Sequence, residues 1–354
     1  MKQNVSNILQ ILFARLHYKL RTKLKMADNQ PLLTNNKILA VAPMMAWTDR
    51  HCRYLHRLFS KDALLFTEMI SSSAVAIGKQ INLLDYSKEE HPIAIQFGGN
   101  DPKELATCSE IAKSLNYDEI NLNVGCPSPR VQRGEFGASL MEKPKLVASC
   151  IKEMRNASGL PITVKCRLGL KGNESKEFLH TFVGEVVDAG CRRVYVHARI
   201  AVLEGLSASQ NRSIPPIQAE KVKELKESFP EIEIVFNGGV TNKEDALSIM
   251  NWADGVMIGR AAYHNPELLT NISDPDQNMA PSETLEKIKI YLSYMCSQVE
   301  KGEKLNRLTR PLLHCFSGKP GAKAYRQVLS DSVKLKANNP QILDEAISHL
   351  GFSI

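Results

Sequence analysis

The sequence is poor in aromatic residues and has no long apolar run. Only 6% of its 354 residues are aromatic, whereas 43% are apolar and 23% are charged. This composition excludes disordered, collagenous and fibrous proteins. No stretch approaches the roughly 18 uninterrupted apolar residues that a membrane-spanning helix needs. The sequence therefore also excludes a membrane protein.

The sequence also lacks any C-x-x-C pair. Its eight cysteines lie far apart along the chain. Such usage is typical of a reducing compartment and argues against a disulfide framework or a zinc site. We therefore expect reduced thiols and no bound metal.

Acidic residues are almost absent from two segments. Residues 1–25 carry six Lys or Arg and no acid, and residues 301–330 carry seven against Glu303 alone. A polyanion-binding surface is expected at one of these segments. We interpret residues 1–36 as a basic extension, which is either an organellar presequence or the result of an upstream start codon, since Met26 could begin the protein. The expected localisation is cytoplasmic, or mitochondrial or plastid if the extension is a presequence.

From residue 37 onward, short β-branched or apolar runs alternate with longer segments of helical period. Eight runs lie at residues 38–42, 64–67, 93–97, 119–122, 162–164, 193–196, 232–236 and 255–258. After about residue 273 strand signals stop, and four segments of helical period lie at 282–301, 304–316, 321–329 and 340–350. The pattern predicts an α/β fold: a (β/α)₈ TIM barrel over residues 37–272, followed by a small helical domain over 273–354. A doubly wound open sheet shares the alternation.

The last two runs are followed by glycine-containing loops. Asn237-Gly238-Gly239 follows the seventh run and Gly259-Arg260 follows the eighth. Barrels often hold a phosphate between these two loops, because backbone N–H groups donate to it and glycine permits its close approach. The sequence predicts a phosphate site here, although a Gly-Gly pair alone is more often a simple turn.

Lys165 and His197 end neighbouring runs, and Gln96 ends the third. A planar, electron-rich ring across the mouth of the barrel would receive a cation from Lys165 and a hydrogen bond from His197. This arrangement suits a flavin tethered by its phosphate. The Gln96 amide, a donor and an acceptor, suits the pyrimidine edge of such a ring. The alternative for an isolated Lys or His at a strand end is a solvated or structurally bonded side chain.

Cys126 lies in a turn bracketed by glycine and proline just after the fourth run. We expect this thiol to face the mouth, whereas Cys108, Cys150 and Cys191 are expected to be buried as small apolar residues. A thiol with the unperturbed pKa of about 8.5 is mostly protonated at neutral pH. It can therefore donate a proton as well as attack.

Together these residues form motifs that resemble those of the tRNA-dihydrouridine synthases. The motifs are APMM at 42–45, WTDRHCR at 47–53, NLNVGCPS at 121–128 and HAR at 197–199. Residues 205–216 and GKPGAK at 318–323 resemble the DusA branch, the tRNA-dihydrouridine(20/20a) synthases, in particular. The resemblance runs from about residue 38 to 330.

The resemblance implies FMN-dependent reduction of uridine to 5,6-dihydrouridine in the D-loop of tRNA, at positions 20 and 20a, with NADPH as reductant. It implies hydride transfer from reduced FMN to C6 of uracil, with Cys126 as the catalytic proton donor to C5. Asn123 and Arg212 match positions that face the RNA, whereas Ser209 and Ile200 stand where the branch usually has lysines. The FMN contacts that the resemblance implies are Pro43, Met44, Met45, Gln96, Lys165, His197, Asn237, Gly238, Gly239, Gly259 and Arg260.

A tRNA partner would account for the basic helical domain, because RNA phosphates are bound by Lys and Arg. We expect Arg310, Lys323 and Arg326 to contact RNA; a solvated basic helix face is the alternative. The second candidate function is an FMN barrel that acts on a free pyrimidine, like a dihydroorotate or dihydropyrimidine dehydrogenase. A free base needs no such basic surface. An RNA-binding role without catalysis is disfavoured by the intact Cys126 and Lys165. The chain is expected to be a monomer.

Overall fold

The computed structural model describes residues 37–276 and 279–351, so the predicted basic extension lies outside the described residues. Eight parallel strands close into a barrel in which each strand pairs with the next and β8 pairs with β1. This closure confirms the TIM barrel and excludes the open sheet. The strands are β1 (Ile38–Val41), β2 (Leu64–Ser71), β3 (Ile93–Gly98), β4 (Glu119–Val124), β5 (Ile162–Arg167), β6 (Arg193–His197), β7 (Glu233–Asn237) and β8 (Gly255–Ile258).

Helices connect the strands, and several begin at a residue whose side chain caps the helix N-terminus. Asp49 accepts hydrogen bonds from the N–H groups of His51 and Cys52, and Asp101, Ser175 and others act in the same way. Such caps satisfy donors that the first helical turn leaves free. The connecting helices are α1 (Arg50–Phe59), α2 (Ser72–Ala76), α3 (Pro102–Ser114), α4 (Pro129–Arg133), α5 (Pro144–Ser158), α6 (Lys176–Asp188), α7 (Ala219–Ser228) and α8 (Lys243–Met250).

Among the described residues after β8, helices joined by turns are found and no further strand. The predicted helix over 304–316 is wrong as a single element: an α-helix ends at Thr309, and Arg310–His314 forms a 3₁₀ turn. Pro311 explains the break, because it has no N–H to continue the helical hydrogen bonds. The helices are α9 (Arg260–His264), α10 (Glu267–Ser273), α11 (Pro281–Glu300), α12 (Leu305–Thr309), α13 (Ala322–Ser330), α14 (Ser332–Lys336) and α15 (Ile342–Ser348).

The amino-terminal end of the barrel is filled by side chains. Arg193 donates to Glu119 and Glu233, the first residues of β4 and β7. Above this network, Tyr195 packs edge-on against Phe66 with ring centroids 5.1 Å apart. These groups leave the carboxyl-terminal mouth as the open end, where barrels of this kind place their chemistry. Among the described residues, no helix is both long and apolar enough to cross a bilayer.

Candidate active site

The carboxyl ends of the strands bring the predicted ionisable residues to one mouth. Lys165 lies inside β5, and His197 and Asn237 are the last residues of β6 and β7. The Lys165 Nζ donates to Asn237 Oδ1 at 2.9 Å, and Asn237 Nδ2 donates to the Met257 carbonyl at 2.7 Å. Asn237 thus fixes the ammonium group by means of a bond to β8. The sequence placed Asn237 in a phosphate loop and did not anticipate this pairing.

Two basic side chains at the mouth have lowered pKa values. Burial, and then the charge of Arg167, lower the pKa of Lys165 to about 8. Burial, and then Arg167 and Lys165, hold the pKa of His197 well below its ordinary value. His197 is therefore a neutral imidazole at neutral pH, while Lys165 remains mostly protonated. Lys165 thus offers a cation at the mouth, and His197 offers a neutral hydrogen-bonding ring.

The glycine loops after β7 and β8 are open to a phosphate. Gly238 and Gly239 have φ values of +122° and +73°, which L side chains rarely adopt. A Cβ at Gly238 would approach His197 Cδ2 and Ile217 Cδ1 to 3.0 Å. Within residues 37–276 and 279–351, the N–H groups of Gly239, Gly259 and Arg260 donate to no protein acceptor. These free donors and the missing side chain fit the phosphate of a flavin mononucleotide.

A chain of polar side chains runs through the barrel from the mouth to its base. Asn123 Nδ2 donates to Gln96 Oε1, and Gln96 Nε2 donates to Asn121 Oδ1, both at 2.8 Å. The chain continues from Asn121 to Thr163 at 2.8 Å and from Thr163 to Glu119 at 2.6 Å. Gln96 is only 1% exposed, and one of its two amide N–H groups is left for a ligand. The sequence did not predict Asn121 as a site residue, because the candidates were taken from the loops that follow the strands and Asn121 lies inside β4.

Asn123 holds the turn that carries Cys126. Its Oδ1 accepts hydrogen bonds from the N–H of Cys126 at 3.0 Å and of Gly125 at 3.2 Å. Its side chain lies within the barrel and is 8% exposed. The structure therefore places Asn123 beneath the Cys126 turn.

Cys126 is half-buried at the mouth, whereas six of the eight cysteines are buried. Its Sγ lies 3.6 Å from Ser128 Oγ. Burial raises the pKa of Cys108, Cys150 and Cys191 to about 12, as expected for packed thiols. The predicted contrast between a mouth-facing Cys126 and these buried cysteines is thus present in the structure.

Arg167 is a site residue that sequence reasoning missed. It is 3% exposed, and its Nε donates to the Gly125 carbonyl at 2.9 Å. Its Nη1 donates to the carbonyls of Ile200 and Asn211, both at 3.0 Å. One guanidinium therefore joins the Cys126 turn to the loop after β6. The signal was available, since Arg167 lies two residues after Lys165 and so shares its face of the strand.

The loop after β6 contains both positions, 200 and 209, at which the branch usually has lysines. Ile200 and Val202 are buried, and the buried Asn211 exchanges two hydrogen bonds with the Val202 backbone, both at 2.8 Å. Position 200 therefore packs inward in this chain. Ser209 and Arg212 are exposed on the same loop.

The basic trio, Arg310, Lys323 and Arg326, lies on the helical segments after α12. Arg310 and Lys323 are exposed, and Arg326 is half-buried. Arg310 Nη1 also donates to the Ala46 carbonyl in the loop after β1 at 3.1 Å. In that loop Met45 is 60% exposed, whereas Pro43 and Met44 are half-buried. Among the described residues, no group of three His, Cys, Asp or Glu could hold a metal ion.

Comparisons with known proteins indicate the family of the chain. Residues 40–350 match the family described as Dihydrouridine synthase (Dus). The chain is 47% identical to the tRNA-dihydrouridine(20/20a) synthase of Synechocystis over 313 residues, which is 87% of this chain and 93% of that protein. It is 46% identical to the enzyme of the same name from Pseudomonas syringae over 320 residues, 88% and 93% of the two chains.

A solved structure shares the fold at low sequence identity. The old yellow enzyme homologue from Zymomonas mobilis has a TM-score of 0.50 and 10% identity, and the match covers 69% of this chain and 93% of that one. This likeness shows a shared fold alone. The family match spans nearly all of the described residues, and the two bacterial relatives match over almost their whole length. The chain therefore belongs to the dihydrouridine synthase family.

Proposed function

We propose that this protein is an enzyme that reduces uridine to 5,6-dihydrouridine in tRNA, at positions 20 and 20a. The family membership and the names of the bacterial relatives support this substrate over a free pyrimidine. The observation that carries the proposal is the half-buried Cys126 thiol at the mouth that also holds Lys165, His197 and two open glycine loops.

The residues at the mouth fit FMN. Gly238, Gly239, Gly259 and Arg260 would hold its phosphate through their backbone N–H groups. Lys165 would provide a cation and His197 a neutral hydrogen-bonding ring for the flavin, while Gln96 has one free amide N–H. Pro43, Met44 and Met45 would line the edge formed by the loop after β1. When bound, FMN would supply hydride to C6 of uracil, with NADPH as the source of electrons.

Cys126 completes the reduction as the general acid. Its turn is held on one side by Asn123 and on the other by Arg167. We infer that these contacts to the turn keep the sulfur within reach of C5 of a base that enters the mouth. The thiol holds the proton that C5 requires, and Cys126 is left as a thiolate until solvent returns a proton. A positioned general acid typically contributes about 10²- to 10⁴-fold to the rate.

The helical segments supply contacts to the RNA backbone. A uridine in folded tRNA must be unstacked before it enters the mouth, at a cost of a few kcal/mol. Electrostatic contacts with phosphates offset such costs. We assign these contacts to the basic trio, to Arg212 and to the polar loop residue Ser209. Asn123 acts from beneath by holding the Cys126 turn.

The test compares two cysteines with matched exposure. Cys126→Ala should bind FMN and accept electrons from NADPH as wild type does, yet form dihydrouridine in tRNA about 10²- to 10⁴-fold more slowly. The control is Cys296→Ala, since Cys296 is half-buried on α11. The control should have wild-type activity. Near-normal turnover of tRNA by Cys126→Ala would remove this thiol from the mechanism, and a protein that shows no flavin absorbance would refute the cofactor.

A further inference from the structure

Four aromatic rings from three parts of the chain form a cluster beside the mouth. Trp47 lies in the loop after β1, Tyr263 and His264 end α9, and His314 ends the 3₁₀ turn Arg310–His314. The rings of Trp47 and Tyr263 stack with centroids 4.5 Å apart and planes inclined by 27°. Because β1 and β8 are paired neighbours, this ring cluster stands over one edge of the mouth.

The two histidines extend the cluster toward the helical segments. His264 stands edge-on to Trp47, with centroids 5.3 Å apart, and to His314, with centroids 4.5 Å apart. Tyr263 is buried beneath, whereas Trp47, His264 and His314 are half-buried and reach the surface. The surface therefore presents three rings from separate elements, arranged side by side.

Arginines neighbour the two histidines of the ring cluster, whereas the carboxylate of Asp49 acts on Tyr263 beneath them. Arg260, at the start of α9, acts on His264, and Arg326 acts on His314. Arg310 bonds to the Ala46 carbonyl, and its own carbonyl accepts from Tyr263 Oη at 3.4 Å. Besides burial, Arg260 lowers the pKa of His264. Besides burial, His264 and Arg326 lower the pKa of His314. Among the described residues no carboxylate contributes to either shift.

This environment keeps both imidazoles neutral at neutral pH. Burial is the largest cause that lowers the pKa of His264 and of His314, and the neighbouring cations lower it further. A neutral imidazole can stack on a planar ring and also donate or accept a hydrogen bond at its edge. Arginines beside aromatic rings are the combination with which proteins bind unpaired nucleotides, since the cations take phosphates and the rings take bases.

We propose that the ring cluster of Trp47, Tyr263, His264 and His314 is a binding site for an unpaired base of tRNA next to the reacting uridine. The inference rests on the proposed function, because it takes tRNA as the ligand. Turning one uridine into the mouth leaves its neighbour without a stacking partner. The rings of Trp47, His264 and His314, which reach the surface, replace that partner, and Arg260 and Arg326 hold the flanking phosphates.

The first experiment observes Trp47 directly. The chain has two tryptophans; the other, Trp252, packs edge-on against Phe236. The variant Trp252→Phe therefore leaves Trp47 as the single indole reporter. Titration of this flavin-loaded variant with tRNA should quench Trp47 emission in parallel with binding measured by filter retention. Binding without any change in emission would overturn the proposal. If the wild type binds no tRNA at all, the proposed function fails instead.

The second experiment removes the histidine rings. Loss of a stacked base by alanine substitution weakens nucleic-acid binding by about 5- to 150-fold. We expect the tRNA Kd of His264→Ala and His314→Ala to rise within this range, and that of the control His180→Ala to stay at the wild-type value. His180 is a half-buried histidine on α6 that stacks on Phe229. An unchanged Kd in both cluster variants would overturn the proposal.

Phenylalanine at the same positions distinguishes stacking from a structural role. His264→Phe and His314→Phe keep a planar ring and should recover most of the affinity that the alanine variants lose. The melting temperature of each flavin-loaded variant is measured in parallel. If the Phe variants melt like wild type but bind tRNA as weakly as the Ala variants, stacking on these rings is refuted.

Discussion

The half-buried cation Lys165 should make the stability of the protein depend on pH in a defined way. Its pKa is about 8 in the folded chain, against an ordinary value of 10.5. Holding the ammonium inside the mouth therefore lowers the stability of the folded protein at every pH at which Lys165 is charged. The full cost is present below pH 8 and is lost as the pH rises from 8 toward 10.5, because the folded protein releases its proton first. Lys165→Met removes this cost.

The size of the effect follows from the two pKa values. When the pH rises from 7 to 10, the free energy of unfolding of wild type should increase relative to that of Lys165→Met. Linkage between proton binding and folding gives an increase of about 2.5 kcal/mol. This value is an upper bound, since Lys165 is half-buried and water screens such a charge. Loss of the hydrogen bond to Asn237 changes the stability of the variant by the same amount at both pH values. This contribution therefore cancels when the gap between wild type and variant at pH 7 is compared with the gap at pH 10.

Urea unfolding of the flavin-free proteins at the two pH values measures this difference. The control Lys152→Met removes an exposed lysine from α5, and its stability relative to wild type should be the same at both pH values. A pH-independent gap between wild type and Lys165→Met would refute the burial argument. So would a gap that changes in the opposite direction.

Three further predictions concern the phosphate loop, the barrel base and the RNA surface. Gly238→Ala should destabilise the protein by about 1–3 kcal/mol and lower its FMN content. The control is Gly159→Ala, because Gly159 also has a positive φ but no neighbour within 4 Å of the new Cβ. The control should lower the stability and leave the FMN content unchanged. Arg193→Met should cost about 3–5 kcal/mol in urea unfolding, because it leaves two buried carboxylates unpaired. Replacing the basic trio with alanine should flatten the salt dependence of tRNA binding by up to about one log-log unit per lost phosphate contact, measured by titration at several salt concentrations, while NADPH oxidation stays at the wild-type rate.

The periodicity of the sequence predicts the barrel but not how far its strands extend. All eight predicted runs coincide with strands, yet β2 reaches Ser71 and β5 reaches Arg167. Polar residues such as Lys165 ended the predicted runs, because a buried strand is expected to be apolar. The barrel mouth instead accommodates polar side chains within the strands. The helix break at Pro311 was readable in the sequence but was outweighed by the surrounding helical period.

The residues that face the mouth were predictable, whereas their partners were not. Cys126 and the glycine loops carry local signals in turns. The bond between Lys165 and Asn237 and the links made by Arg167 join residues far apart in the sequence. Only the folded barrel brings these residues together, so no local pattern in the sequence indicates the contacts. The ring cluster was missed for the same reason, since it joins the loop after β1 to residues near the end of the chain.

Reduction of uridine within tRNA at the mouth of this barrel can be observed in a reconstituted reaction. The purified protein, FMN and NADPH are incubated with an unmodified tRNA transcript, and the product is mapped by mass spectrometry. We expect a gain of two hydrogens at positions 20 and 20a, which is abolished or strongly slowed in Cys126→Ala. Reduction of free uracil or orotate by the same preparation, with the tRNA left unchanged, would contradict the proposed function.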